Sequence, residues 1–465
     1  MRVMMLSWEY PPRIVGGISP HVYDLSKRLV ERGVEVHVVT KATPLAPAEE
    51  VEASGVHVHR VALGEEPRGF LHEIELLNAA TEVRVRELLE DWRPGGAPTI
   101  FHAHDWLSLD AARTLKYEYK LPIVATLHAT EWGRHGGIFS EISRTIAERE
   151  YWLTYEAWRL IVCSDFMRGE AERLFACPGD KIETVYNGVD PANFSGPCDD
   201  DVRAKWAAPD EKIVLYVGRF VREKGIGVLL GSMSAVLAQE PNARFVVVGG
   251  GSDRPKFEGF ARWSGLEDRV TFAGFISGEP LHELYRVADV AVFPSLYEPF
   301  GIVALEAMAA GVPVVASDAG GLKEIVVHDA TGTSTFAGDS ASLAWGIRRV
   351  LGDPARAKRL AASASARLAV EFDWGRLADR TAALYARVWD EFLHSYWAER
   401  TVWPVSPGAE TRYEELRLRE RLEAARVPER QMGAEFERPR SRVSVPEREG
   451  STDATELFDT LVRPQ

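Results

Sequence analysis

Two halves of this chain repeat one pattern, in which a short run of β-branched residues leads into a turn and then into an amphipathic helix. Strands that alternate with helices build parallel sheets covered by helices on both faces. The pattern therefore predicts an α/β protein with two doubly wound, Rossmann-like domains. The predicted strands of the first half are Arg2–Ser7, Glu35–Thr40, Thr99–His102, Ile123–His128 and Leu160–Cys163, with helices at Ser19–Arg32, Ala80–Trp92 and Phe139–Trp158. Those of the second half begin at Ile213, Arg244, Val270, Val290 and Val312.

The polar, turn-rich stretch Asn187–Asp201 separates the two halves and is typical of a domain boundary. We therefore predict a first domain at 1–190 and a second at 191–372. A helical segment follows at 373–398. The remaining residues, 399–465, are rich in Arg, Glu and Pro. They are predicted to be a charged, partly disordered appendage with a helical piece near Arg412–Ala425.

Charge and cysteine content narrow the class of protein. A formal net charge of −14 argues against a general nucleic-acid binder. Cys163, Cys177 and Cys198 show no paired spacing, which favours a reducing compartment. The apolar run at the N-terminus is interrupted by Glu9, unlike the centre of a signal peptide, and no apolar run reaches the ~18 to 20 residues of a membrane span. The expectation is a cytoplasmic protein without integral membrane association, and its oligomeric state is left open.

Aromatic, acidic and imidazole side chains follow three predicted strands of the first half. In open parallel α/β sheets, ligands bind beyond the carboxyl ends of the strands. A single tryptophan there is more often a core residue, but three on one rim favour a polyhydroxyl pocket, because aromatic faces stack on sugar rings and acids bind hydroxyls. The residues are Trp8, Glu9 and Tyr10, then His104, Asp105 and Trp106, then His128 and Trp132. The nearby pair Gly16-Gly17 opens a helix and suits a phosphate or sugar oxygen, although such a pair is more often only a tight turn.

Two cations follow the first predicted strand of the second half. Arg219 and Lys224 stand at a strand-to-helix turn, where they would form a clamp for an anion of diphosphate size. Ordinary surface cations are the alternative. The next strand runs into Gly249-Gly250-Gly251, where backbone can approach a flat ligand closely.

Two glutamates eight positions apart lie in the segment Ser295–Ser317. Pro299 suits the first turn of a helix, so the amides of Phe300, Gly301 and Ile302 would point at a ligand. On such a helix Glu298 and Glu306 would both face one cleft. The alternative is that Glu306 marks a solvated helix face, but no other polar residue accompanies it between Phe300 and Gly311.

A metal site was weighed against hydrogen bonding for the histidines. His102 and His104, with His128 or His135, would supply imidazole ligands for zinc. No fourth ligand has recognisable spacing, and the His-Asp-Trp context favours hydrogen bonds. We therefore predict no metal site, and we interpret the acidic run Asp199–Asp201 as solvated.

These motifs together resemble the retaining GT-B glycosyltransferases of the glycogen-synthase-like group (family 4 and family 5 type), most of all bacterial and archaeal glycogen (α-glucan) synthases. The resemblance covers about Met1 to Trp397. It rests on the two glutamates within EPFGIVALEAMAAGVPVVAS, the segment Gly218–Gly225, the NGVD motif at Asn187, the HDW motif at His104 and the Gly-Gly loop after the first strand.

The resemblance implies a GT-B fold, with two domains facing across a cleft and the last helix crossing back to the first domain. It further implies that Arg219 and Lys224 neutralise the leaving nucleoside diphosphate, with no metal and no cofactor. Glu306 would bind the ribose of the donor, and Glu298 would lie at the reaction centre with His128. The donor-binding residues would be Gly17, Arg219, Lys224, Gly249, Phe300, Gly301, Ile302 and Glu306. The acceptor-binding residues would be Trp8, Glu9, Tyr10, His104, Asp105, Trp106 and Trp132.

The implied reaction moves glucose from ADP- or UDP-glucose to an α-glucan with retention of configuration. The alternative is transfer of another sugar to a small-molecule or lipid acceptor. A non-catalytic sugar sensor is disfavoured because the full set of charged site residues is present. Ile14 stands where the starch-synthase branch has a lysine, so the base of the donor is not implied.

Overall fold

The computed structural model describes residues 1–92, 97–197, 200–251 and 253–398. Its strands form two sheets. The first sheet has the order β3-β4-β2-β1-β5-β6-β7-β8 and is parallel except for β3, which pairs antiparallel with β4. Its strands are β1 (Arg2–Leu6), β2 (Glu35–Lys41), β3 (Glu49–Val51), β4 (His57–Val61), β5 (Thr99–His104), β6 (Ile123–Leu127), β7 (Arg159–Val162) and β8 (Ile182–Thr184).

The second sheet has the order β11-β10-β9-β12-β13-β14, and all of its strand pairs are parallel. Its central strands are buried on both faces, which is why they are continuous apolar runs in the sequence. The strands are β9 (Lys212–Val217), β10 (Ala243–Val248), β11 (Val270–Gly274), β12 (Val290–Phe293), β13 (Val314–Ser317) and β14 (Thr333–Thr335).

Helices cover both sheets. Several of them begin at a Ser, Thr or Asp whose side chain accepts a hydrogen bond from an amide of the first turn. Those of the first half are α1 (Ile18–Val30), α2 (Phe70–Trp92), α3 (Leu109–Tyr119), α4 (Glu131–His135), α5 (Glu141–Glu156) and α6 (Asp165–Phe175). Those that follow are α7 (Asp200–Ala204), α8 (Ile226–Leu237), α9 (Arg254–Trp263), α10 (Glu279–Arg286), α11 (Ile302–Ala309), α12 (Leu322–Ile325), α13 (Ser340–Leu351), α14 (Pro354–Glu371) and α15 (Trp374–Leu393).

The chain crosses between the sheets twice, and both crossings lie side by side. Val189 and Asp373 form an isolated parallel bridge where the chain leaves and re-enters the first half. Helix α15 then packs on α1, and its Tyr385 hydroxyl lies 2.6 Å from Nδ1 of His102 in β5. Arg32 bonds both Asp379 and the carbonyl of Gly375. The predicted two-sheet architecture and the returning helix are therefore confirmed.

Several elements differ from the sequence prediction. Strands β3, β4, β8 and β14 were not predicted, because they are short and polar (β4 is HVHRV and β14 is TST) and lack an apolar run. Helix α2 begins at Phe70 rather than Ala80, and α15 ends at Leu393. The predicted appendage 399–465, with its helical piece, lies outside the described residues.

Within the described part of the chain, every helix is too short or too polar to cross a bilayer.

Candidate active site

The carboxyl ends of the two sheets meet across a cleft. A Cβ built on Gly17, at the start of α1, would lie 3.5 Å from Cδ1 of Ile302, at the start of α11. Ser164, just after β7, donates a hydrogen bond of 2.6 Å to the carbonyl of Pro299. The segment after β12, which contains Glu298, therefore contacts the first half directly, as expected for a site beyond the strand ends.

Lys224 and Glu298 form an ion pair in this cleft. The ammonium of Lys224 lies 2.8 Å from Oε1 and 2.7 Å from Oε2 of Glu298, and Ser295 donates a third bond of 3.0 Å to the same carboxylate. Glu298 is 6% exposed and the Lys224 side chain is 20% exposed. A carboxylate buried this far needs such partners, so the pair is a fixed element of the site rather than a chance surface contact.

Arg219 lies on the same rim and is more exposed and more loosely paired than Lys224. Its guanidinium pairs with Glu223 at 3.3 Å, and its side chain is 41% exposed. The buried Tyr216 hydroxyl donates to the carbonyls of Arg219 and Lys224, which fixes the turn that presents both cations. Arg219 also interacts electrostatically with Glu9 of the first half. A diphosphate entering the cleft would therefore meet two cations on one preformed turn.

Helix α11 begins at Ile302, three residues later than the sequence predicts. Gly301 precedes it with φ of 114°, a conformation that favours glycine. The prediction of Pro299 in the first helical turn is therefore wrong, because the backbone turns at Gly301. The Phe300 side chain is buried against Tyr186, so its ring does not face the cleft.

Glu306 lies one turn into α11. Its Oε2 accepts a hydrogen bond of 3.0 Å from Tyr285 of α10. Burial, followed by the nearby carboxylate of Asp24 in α1, raises the pKa of Glu306 to about 7. The Tyr285 bond occupies one carboxylate oxygen and leaves the second able to accept from another donor. The predicted contact of Glu306 with the ribose remains a prediction.

The affinity for a nucleoside diphosphate should depend on pH through Glu306. The folded-state pKa of about 7 exceeds the ordinary 4.5, so the free energy of unfolding falls as pH rises through this window. An ionised carboxylate is the better acceptor for hydroxyls, so we expect affinity to drop about tenfold from pH 8 to pH 5.5. Calorimetric titration of wild type and Glu306→Gln measures this. Asp24 is present in both proteins, and equal slopes in the two would contradict the assignment.

Glu9 organises the Gly-Gly loop. Its Oε2 accepts bonds of 2.6 and 2.8 Å from the amides of Val15 and Gly16, and it is 2% exposed. Burial raises the pKa of this carboxyl, and the two amide bonds lower it. The sequence places Glu9 with the acceptor residues, whereas the structure shows it bonded to the loop that precedes α1.

Tyr10 is a correction to the predicted acceptor residues. Its ring is 1% exposed, and its hydroxyl donates to Glu52 at 3.0 Å. A side chain buried in the core presents no face for a sugar to stack on, so the prediction for Tyr10 is wrong. The signal was ambiguous because tyrosines at strand ends are as often core residues as ligands.

Three aromatic rings pack together on the first-domain side of the cleft, where the sequence predicts acceptor binding. The partly buried Trp8 and the buried Trp106 each pack edge-to-face on Phe70, with centroids 5.7 and 5.9 Å apart. The indole of Trp8 donates to Glu73 at 3.2 Å. Phe70 is 44% exposed and was not predicted from the sequence. It begins α2, whose start the sequence places ten residues later, at Ala80. Trp132 is partly buried on α4.

Asp105 has an unusual backbone and environment. Its φ is 66°, an uncommon conformation for a residue other than glycine. The carboxylate accepts from the amide of Trp106, and burial raises its pKa to about 6, against the opposing field of Arg134. Strained residues cluster at functional sites. Asp105 is nevertheless 1% exposed, and its predicted acceptor role remains a prediction.

His128 is partly buried at the end of β6. Its Nε2 lies 3.3 Å from Nδ1 of His104, which is fully buried. Burial, with contributions from His21 and His102, lowers the pKa of His128 well below its ordinary 6.5, so the imidazole is neutral at pH 7. Of the histidines considered as zinc ligands, His104 and His128 lie together. The two ring nitrogens of His102 instead bond Tyr385 and Thr126, and His135 pairs with Glu131 at the surface.

Tyr297 connects the two halves next to Glu298. Its hydroxyl donates to Glu170 at 2.8 Å and accepts from the amide of Thr130 at 3.1 Å, although it is itself in the second half. The ring lies so close to Gly133 that a Cβ there would be 2.2 Å from a ring carbon. The sequence did not predict this contact, because it depends on how the two domains meet.

Close packing against neighbouring backbone excludes any side chain at Gly249. A Cβ there would lie 1.9 Å from the carbonyl oxygen of Gly218, and its amide donates to Gly274 at 2.8 Å. The loops after β9 and β10 are thus held against each other at the rim. Its predicted contact with the donor remains a prediction.

Comparison with known proteins identifies the family. The family profile described as Glycosyltransferase Family 4 matches residues 15–193, and that described as Glycosyl transferases group 1 matches residues 199–367. An uncharacterized glycosyltransferase of Methanocaldococcus jannaschii is 37% identical over 396 residues, which span 83% of this chain and 98% of that protein. The glycogen synthase of Mycobacterium tuberculosis is 36% identical over 402 residues, with 83% and 94% covered.

A solved structure agrees with the sequence relatives. The sucrose-phosphate synthase of Thermosynechococcus elongatus superimposes with a TM-score of 0.73 and is 30% identical, covering 84% of this chain and 99% of its own. The resemblance and the GT-B fold predicted from the sequence are thus confirmed. The chain belongs to the group 1 glycosyltransferases and is a sugar-transferring enzyme of the GT-B fold.

Proposed function

We propose that this enzyme transfers glucose from ADP- or UDP-glucose to an α-glucan, with retention of configuration and without a metal ion. The observation that carries the proposal is the buried Lys224–Glu298 ion pair, which lies beside Arg219 and near the N-terminus of α11. Two cations and a carboxylate on one rim between the domains support the binding of a nucleoside diphosphate sugar there. The 36% identity to a glycogen synthase supports the α-glucan as acceptor.

The chemistry requires negative charge to grow on the departing diphosphate. Preorganised cations and amide dipoles aimed at that charge are normally the largest contribution to catalysis. Arg219 and Lys224 supply the cations, and the N-terminus of α11 supplies a positive dipole end. These groups provide the neutralisation that the leaving group needs, which is the reason for proposing a metal-independent reaction.

Retention is proposed from the resemblance to retaining GT-B enzymes, and the engagement of Glu298 argues against a covalent intermediate on that residue. Both of its oxygens bond Lys224, and one also bonds Ser295, so it is held as an electrostatic partner rather than as an attacking nucleophile of the kind retaining hydrolases use. We infer a front-face substitution. The bond from the anomeric carbon to the phosphate oxygen breaks while the acceptor oxygen bonds the same face. The acceptor proton passes to the leaving phosphate oxygen.

A second candidate is transfer to a small phosphorylated acceptor. Arg13 and Lys41 both pair with Glu73, at 3.5 and 2.7 Å, beside Trp8 on the acceptor side. Because Glu73 neutralises only one of the two cations, the group keeps a net positive charge that could bind a phosphate. The sucrose-phosphate synthase named above is an example of a similar protein with a small phosphorylated product. A lipid acceptor is disfavoured, because the apolar face of the basic helix α1 packs on α15 instead of being exposed to a lipid surface.

A donor and acceptor screen tests the proposal. The purified enzyme is incubated with ADP-, UDP- or GDP-glucose, each with glycogen or with a hexose phosphate, and release of the nucleoside diphosphate is measured. We expect release with one glucose donor and glycogen, and α-linkages in the product by NMR. Turnover with the hexose phosphate alone would favour the second candidate, and failure of every glucose donor would contradict both.

A further inference from the structure

Three imidazoles converge at the first-domain side of the cleft. One ring nitrogen of each of His21, His104 and His128 lies within 4.8 Å of the other two. Their ring centroids are 4.8 to 5.6 Å apart. The three residues come from α1, β5 and the end of β6. His21 belongs to none of the motifs that the sequence analysis selected, and its place in the group depends on the packing of α1 against the sheet.

The tautomer of His21 is fixed by its neighbour. Nδ1 of His21 lies 2.6 Å from the amide oxygen of Asn187, and because that oxygen only accepts hydrogen bonds, Nδ1 carries the proton. Nε2 of His21 therefore carries a lone pair. That nitrogen is buried and has no hydrogen-bond partner among the described residues. Metal-binding histidines typically have their second nitrogen held in this way.

The spacing fits a tetrahedral ion. Zinc-to-imidazole bonds of about 2.0 to 2.1 Å place neighbouring ligand nitrogens about 3.3 Å apart, and Nδ1 of His104 lies 3.3 Å from Nε2 of His128. Burial lowers the pKa of all three imidazoles, so each offers a lone pair without first losing a proton. A hydrogen bond between His104 and His128 alone would leave Nε2 of His21 unused.

We propose that His21, His104 and His128 bind a divalent transition-metal ion of the zinc class, with a fourth position open toward the cleft. Arg219 and Lys224 neutralise the leaving group, so the ion is not required for transfer. The ion occupies the lone pair of His128 and therefore inhibits transfer. This inhibitory consequence rests on the proposed function, whereas metal binding itself does not.

A cobalt titration tests the site without any assay of transfer. Tetrahedral Co²⁺ gives a strong visible absorption, so wild type is expected to show that band with one equivalent bound. His21→Ala removes a ligand and is expected to weaken binding at least about 100-fold, on the scale reported for metal-site partners. His135→Ala, an exposed histidine paired with Glu131, is the matched control and is expected to bind as wild type. Equal binding by all three proteins would overturn the proposal.

Wild-type crystals soaked in zinc provide a measurement that needs no variant. An anomalous difference peak between His21, His104 and His128 supports the site. A peak only at surface residues, or no peak, overturns it.

Transfer in the presence of zinc then tests the consequence. Inhibition of wild type that chelation reverses, and that His21→Ala loses, is expected. Binding without inhibition overturns the inhibitory role. If no sugar is transferred under any condition, the proposed function fails, while the cobalt band still decides the metal site.

Discussion

Replacing Lys224 by alanine is expected to lower kcat/KM for sugar transfer by about 10³-fold, the upper range for loss of one preorganised charge-stabilising group. Lys224 is the only cation bonded to Glu298 among the described residues, and it contacts both carboxylate oxygens. The variant loses positive charge at the leaving group and leaves a carboxylate that is 6% exposed without its counter-ion. Steady-state release of nucleoside diphosphate in the presence of acceptor measures the effect.

The matched control is Lys256→Ala, which removes an exposed lysine of α9 in the same domain and should leave the rate unchanged. The double variant Lys224→Ala/Glu298→Gln tests the effect of the unpaired buried charge on stability. Neutralising Glu298 is expected to restore thermal stability, while turnover stays low because Glu298 is itself assigned to the reaction centre. Retention of more than a tenth of wild-type kcat/KM by Lys224→Ala would contradict its assignment to the leaving group.

Gly133→Ala is expected to reduce kcat/KM about 100-fold without unfolding either domain, since misplacement of a reacting group by about 1 Å has an effect of this size. The added methyl would lie 2.2 Å from the ring of Tyr297. The ring itself is 8% exposed and bonded to Glu170, so it has no room to move. The domains must separate slightly, and Glu298, the next residue after Tyr297, moves with them.

Small-angle X-ray scattering and melting temperature distinguish separation from unfolding. Gly133→Ala should increase the radius of gyration while the circular dichroism spectrum stays native. Gly169→Ala in α6, where an added methyl meets nothing within 4 Å, is the control and should match wild type in all three measurements. A fully active, compact Gly133→Ala protein would show that this contact does not position Glu298.

Much of the fold and the location of the site are predictable from the sequence. Runs such as IVLYV in β9 are apolar because central parallel strands are buried on both faces, so the sequence marks them directly. The rule that ligands lie beyond strand ends brings Lys224 and Glu298 to the same rim although 74 residues separate them. The elements that were not predicted, such as β4, carry histidine and arginine whose burial depends on partners elsewhere in the chain.

Contacts between residues far apart in the sequence are not predictable in this way. Tyr297 of the second domain bonds Glu170 of the first across 127 positions, and within the first domain His21 bonds Asn187 across 166. No local periodicity marks such pairs, because they depend on how distant elements pack in three dimensions. The start of α11 was misplaced for a different reason. Proline at 299 is compatible with a helix start, but the backbone conformation of Gly301 decides where the helix begins.

The adjacent crossings at Val189 and Asp373 have a consequence for biosynthesis. In topological terms the second domain is an insertion into the first, since α15 supplies Leu377, Leu384 and Tyr385 to the first domain's core. The ribosome therefore synthesises the whole second domain before α15, the last helix of the first domain, emerges. Until then the face of α1 that packs on α15 is uncovered, so the N-terminal unit is the part of the nascent chain with apolar surface for a chaperone to bind.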